Sequence, residues 1–77
     1  MLEIKFQDII PPQENIDSVE YYSLFRTIED WCHEHIPKTE WRFDYSSTIL
    51  VHGIDLPRRI LFKDVADLIL FKTAFNL

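Results

Sequence analysis

Five residues near the middle of the chain, Glu29, Cys32, His33, Glu34 and His35, are of the types that ligate metals or move protons. On a helix, Cys32 and His35 stand three apart and share a face, while Glu29 and His33 stand four apart and share another. Either pair could give Zn²⁺ two of the four ligands it takes from Cys, His or carboxylate. His52 is the one other histidine, and no second cysteine exists to complete a set. His33-Glu34-His35 also lacks the four-residue spacing of a zinc-protease helix. Cys32 as a nucleophile would need an exposed thiolate in a positive setting, and its neighbours are acidic. The expected roles are structural: Cys32 as a small buried residue, the histidines beside a helix C-terminus, where cations meet exposed carbonyls. No metal and no cofactor is expected.

Other chemistries fare no better. Ser46 and Ser47 lie in no Gly-x-Ser-x-Gly elbow, and one glycine in 77 residues leaves no phosphate-cradling loop. The chain is not expected to be an enzyme. Arg58, Arg59 and Lys63, joined by Lys72, form its main basic cluster. With Trp41, Phe43 or Tyr45 on an open sheet face they could bind single-stranded nucleic acid by stacking and phosphate contact. Against this stand a net charge of −5, where phosphate binders are usually basic, and the alternation of those aromatics, which reads as core.

The segment Val65 to Phe71 reads as a helix that is apolar nearly all round. A helix of that kind needs cover on every side, and a small single domain leaves one side open. The expected cover is another protein, a second copy being the commonest case. Leu70, Phe71 and Phe75 are the predicted partner contacts, with Arg58 and Arg59 as polar anchors, since aromatics and arginine often dominate interface energies.

Residues 1–77 are expected to form one domain, rich in aromatics (14 % Phe, Trp and Tyr) and 47 % hydrophobic. A chain this short buries about 60 % of its unfolded surface, so the large rings must supply the core. A single cysteine excludes an internal disulfide and suits a reducing, cytoplasmic setting. The start lacks a secretory pattern. The longest apolar run, Leu68 to Phe71, is too short to span a bilayer.

Leu2, Ile4 and Phe6 alternate with Glu3 and Lys5, the period of a half-buried strand. Pro11-Pro12 makes the following stretch a connector. Asp17-Ser18-Val19-Glu20 has capping-box spacing, and Val19, Tyr22, Phe25, Ile28 and Trp31/Cys32 form a stripe, predicting a helix over 18–35 stopped by Pro37. Trp41 to Tyr45 alternate as a strand, Ser46-Ser47 reads as the turn, and Thr48 to Val51 as the return strand. Gly53, alone of its type, marks a bulge, a positive φ or a close approach. Pro57 separates that strand from Arg59 to Phe62, which read as a separate strand or as the same one resumed, Asp64 caps the last helix, and Thr73 to Leu77 read as a final short strand. The order specifies an α+β two-layer sandwich, a small mostly antiparallel sheet with two helices on one face. A ferredoxin-like arrangement is one topology that fits it.

Gly53-Ile54-Asp55-Leu56-Pro57, then Ile60-Leu61-Phe62, Asp64, Asp67 and Leu70-Phe71-Lys72 with Phe75, resembles the ending of small proteins of tailed bacteriophages of the T4-like and cyanophage groups. The likeness covers the final third of the chain and carries no catalytic motif. It implies an accessory protein in an infected bacterial cytoplasm that binds and redirects host or phage proteins. The expected function is thus a non-enzymatic protein-interaction module and homo-oligomer that does not engage membranes, with single-stranded nucleic-acid binding through Arg58, Arg59 and Lys63 as the alternative.

Overall fold

The computed structural model describes residues 2–9 and 18–77. The connector with Pro11-Pro12 and the capping position Asp17 lie outside that range. Strand β1 (Leu2–Lys5) runs into a short 3-10 turn, Phe6–Asp8. Helix α1 (Ser18–His35) follows, then a second 3-10 turn, strand β2 (Trp41–Val51), strand β3 (Ile54–Phe62) and helix α2 (Val65–Ala74). The sheet order is β1-β3-β2, with both outer strands antiparallel to β3. The chain is therefore a small α+β fold with a three-stranded antiparallel sheet. It shares its βαββα order with the ferredoxin-like layout, which closes with a further strand. Residues 75–77 supply none: Phe75 N–H bonds the Phe71 carbonyl as a helix cap, and Asn76 turns with φ 58°. Helix α2 takes up Thr73 and Ala74, the first two residues read as that strand, and its cap and turn take the rest.

Register explains which side chains are covered. Ile4 and Phe43 both face Ile60, and Leu2 and Trp41 both face Phe62. These even positions on β3 meet the helices, and Ile60 and Phe62 are fully buried. From α1 come Tyr21, Phe25, Ile28 and Cys32, all buried, with Ile36 just beyond. The predicted stripe shifts by one residue at its start: Tyr21 is inside, whereas Val19 and Tyr22 are exposed. Spacings of four, three and four from Tyr21 hold the stripe on one helical face. Aromatic rings fill the layer between. Phe6 packs on Tyr21, Phe25 on Phe43, and Phe71 on Phe62. Among the described side chains, the Trp41 indole N–H alone is buried without a hydrogen-bond partner, beside the edge-on rings of His33 and Phe43.

Two expected breaks inside strands do not occur. Ser46-Ser47 are no turn: β2 continues to Val51 and absorbs them as a bulge between Asp44 and Thr48, three residues opposite Arg58 alone. The reversal falls at His52-Gly53, with φ of 49° and 80°. Both values are left-handed, as the favoured two-residue hairpin requires, and Gly53 is the residue that adopts it freely. Pro57 sits within β3, opposite Thr48. A central strand rejects proline because each N–H is needed. Here β1 pairs only with Arg59 to Phe62, so β3 has a single neighbour at Pro57. The Pro57 carbonyl accepts the Tyr21 hydroxyl at 2.8 Å.

Candidate functional site

Helix α2 has one side buried and one side without charge. Phe71 is fully covered, in contact with Phe62 at 5.3 Å, Trp31 at 5.5 Å and Phe75 at 4.4 Å between ring centres. Leu68 and Phe75, half-buried, flank it. At 3.6 residues per turn, Ala66, Ile69 and Thr73 fall opposite Phe71, with Val65 and Leu70 to either side and Ala74 nearer the core, and all six are exposed. Val65, Ile69 and Leu70 expose 56 %, 57 % and 46 % of their surface. The Thr73 hydroxyl is spent on the Ile69 carbonyl at 2.9 Å. No charged group stands on this side; Asp67 and Lys72 sit at its flanks. The small side chains Ala66, Thr73 and Ala74 leave room for a close-packed partner.

The local sequence accounts for this helix. Asp64 in extended conformation accepts the Ala66 N–H at 2.9 Å, an N-cap bond. Asp67 in the first turn and Lys72 in the last complement the helix dipole. Among the predicted contacts, Leu70 is on the exposed side. Phe71 is corrected to a core residue: its side chain is enclosed by Trp31, Phe62 and Phe75 and reaches no surface. Phe75 stacks on Phe71 and exposes only part of its ring.

Arg58 and Arg59 lie in the middle of β3 and do not act as a pair. Adjacent strand residues point to opposite faces. Arg59 lies on the face away from the helices, where Nη1 donates to Glu3 at 3.1 Å and Nη2 meets Asp44 at 2.7 Å and the Ser46 hydroxyl at 2.9 Å. Asp44 also accepts the Ser46 N–H at 2.9 Å. That bond, then the Ser46 hydroxyl and the Arg59 and Arg42 charges, hold the Asp44 carboxyl below its ordinary value, with burial opposing. Arg58 gives Nε to the Thr48 carbonyl at 3.0 Å and is otherwise exposed. A cleft of about 360 Å³ beside it is lined by Lys5, Gln7, Tyr21, Ser47, Arg58 and Arg59. Lys63 is elsewhere, at the far end of β3 with Leu2, Glu40, Asp64 and Val65. It stands five positions along the chain from Arg58, roughly 17 Å, so the three cations form no single face. Trp41 and Phe43 belong to the core layer, which removes them as an open stacking platform; Tyr45 is exposed.

The cluster on α1 is dispersed by the same packing. Cys32 is fully buried, and burial pushes its thiol up to about 12. His35 stacks on Trp31 and shares a 2.9 Å hydrogen bond with the Trp31 carbonyl through Nδ1. His33 packs edge-on to Trp41. Among the described residues no three His, Cys, Asp or Glu side chains converge as metal ligands, and no described helix is long and apolar enough to cross a membrane. Lys5, Gln7, Tyr21 and Ser47 escaped the sequence reading because three separate segments bring them together. The charge-free side of α2, by contrast, was signalled by its composition. No protein family, curated protein or solved structure matches the chain.

Proposed function

We propose that this chain is a small protein-binding module that works without a covalent step, and that the exposed side of α2 is its contact surface. The observation that carries this is a helix equally apolar inside and outside, in a chain with 13 acidic and 8 basic residues. Grouped exposed apolar side chains mark partner sites, whereas scattered ones do not. The first occupant is a second copy of the chain. Laid antiparallel, two α2 helices set the acidic first turn of one, Asp64 and Asp67, along the last turn of the other, with Lys72, and their dipoles oppose. The likeness of the C-terminal third to small phage proteins supports a setting in an infected bacterial cytoplasm, where such a module occludes or redirects a host or phage protein.

Cross-linking tests the pairing. Val65→Cys and Thr73→Cys lie equally far from Ile69 along the helix, and the native Cys32 is buried. Mixed and oxidised, the two variants should link to each other faster than to themselves. Linking of each only to itself, or none at all, would refute the antiparallel pair.

A further inference from the structure

We infer that the cleft at the end of β1 is a binding site for a small phosphate monoester. Its six described lining residues, Lys5, Gln7, Tyr21, Ser47, Arg58 and Arg59, include three of the chain's eight basic side chains and no acid. This composition is unexpected in a protein of net charge −5, where a cation placed without selection meets carboxylates more often than bases.

The roles within the cleft differ. Arg59 is committed: both Nη atoms are engaged with Glu3, Asp44 and Ser46, so it forms a fixed wall. Arg58 is anchored through Nε alone, which leaves its two Nη groups for a bidentate contact with an oxyanion. The Tyr21 hydroxyl donates to the Pro57 carbonyl, so Tyr21 is a second wall. Burial raises its pKa while the Arg58 charge lowers it, which places that guanidinium close by. Lys5, the register partner of Arg59, lines the cleft from the other side of the sheet edge and adds a compact second charge, and Ser47 and Gln7 add neutral donors.

The geometry is built by the irregularities of the fold. Pro57 lies where β1 has ended, which opens the gap between β3 and the first turn of α1. The bulge sets three residues of β2 against Arg58 and brings Ser47 to the rim, a use bulges often have beside binding sites. Two cationic groups without an ion-pair partner among the described residues, plus neutral donors, match a dianion with three acceptor oxygens better than a monoanionic carboxylate. The cleft volume of about 360 Å³ admits a ligand of small-molecule size and falls within the range of ordinary ligand pockets.

Isothermal titration calorimetry of the full chain at low salt tests the site, with inorganic phosphate, adenosine monophosphate, adenosine and acetate as probes. Phosphate and the monophosphate should bind saturably at one site per chain, and adenosine and acetate should not. Arg58→Gln should weaken phosphate binding at least tenfold. Lys5→Gln, which touches no hydrogen bond of the fold, should weaken it several-fold with an unchanged melting temperature. Lys63→Gln, the same charge change outside the cleft, should leave it unaltered. Equal losses from Lys63→Gln and Lys5→Gln, equal binding of acetate, or absence of saturation would overturn the assignment.

Discussion

The two helices cover the same face of one sheet, yet they meet solvent differently. Helix α1 buries Tyr21, Phe25, Ile28 and Cys32 and turns Glu20, Arg26, Asp30 and Glu34 outward, with an Arg26–Glu29 ion pair at 2.9 Å. Its exposed Val19 and Tyr22 stand among those charges. Helix α2 buries Phe71 and turns Val65, Ile69 and Leu70 outward with no charge among them. The inner sides answer to the same requirement, a filled core. The outer sides do not, because folding asks only that an exposed side tolerate water. The apolar exterior of α2 is therefore a part of the chain that the fold leaves unexplained, and the partner proposed above would account for it.

The inner sides should respond alike and most strongly. Phe71→Ala should cost about 3–5 kcal/mol and Ile28→Ala about 2–5 kcal/mol, against a total stability of about 4–12 kcal/mol for a domain of this length. Urea titration followed by circular dichroism would read both losses. A small loss at Phe71 would mean that α2 is not packed as described. Ile69→Glu, on the outer side, should change monomer stability by no more than about 0.5 kcal/mol while weakening self-association at least tenfold. That divergence between two residues of one helix is the sharpest form of the comparison. Asp64→Ala removes the α2 cap and should cost about 1 kcal/mol in the same titration.

The smallest effect lies away from both helices. The folded-state pKa of Asp44 is lowered, chiefly by the Ser46 N–H, so its stabilisation is complete above the ordinary carboxylate value of about 3.9. It is lost as pH falls through the lowered value. Melting temperature should therefore drop less between neutral and acid pH in Asp44→Asn than in the native chain. Equal drops would show that the Ser46 and Arg59 contacts do not persist in solution.

Much of this architecture is legible in the sequence, and the failures have physical causes. The bounds of α1, the strand character of residues 2–5 and the start of α2 follow from periodicity, capping and proline. The Ser46-Ser47 turn was misplaced because small polar residues mark turns and exposed bulges equally. Pro57 reads as a strand break unless the shortness of β1 is known, a pairing fact that local sequence does not contain. Tyr21 and Tyr22 are adjacent and alike, so the stripe could be drawn through either. The final strand failed because α2 extends to Ala74 and Phe75 serves its core side.

The contact surface was legible in part. Its apolar excess was visible, but Phe71 was assigned to the partner when the core needed it. The exposed side chains of the proposed surface are Val65, Ile69 and Leu70. Arg58 and Arg59 look like one cluster in sequence, although strand alternation alone already sends them to opposite faces. The cleft that Arg58 shares with Lys5 depends on where β1 stops, and nothing local announces it.

Sedimentation equilibrium of the native chain and of Ile69→Glu, over a concentration series, tests the central claim most directly. The native chain should show a mass that rises with concentration toward that of a dimer, while Ile69→Glu stays at monomer mass with its circular dichroism unchanged. A native chain that remains a monomer throughout, or a variant that associates equally well, would contradict the account.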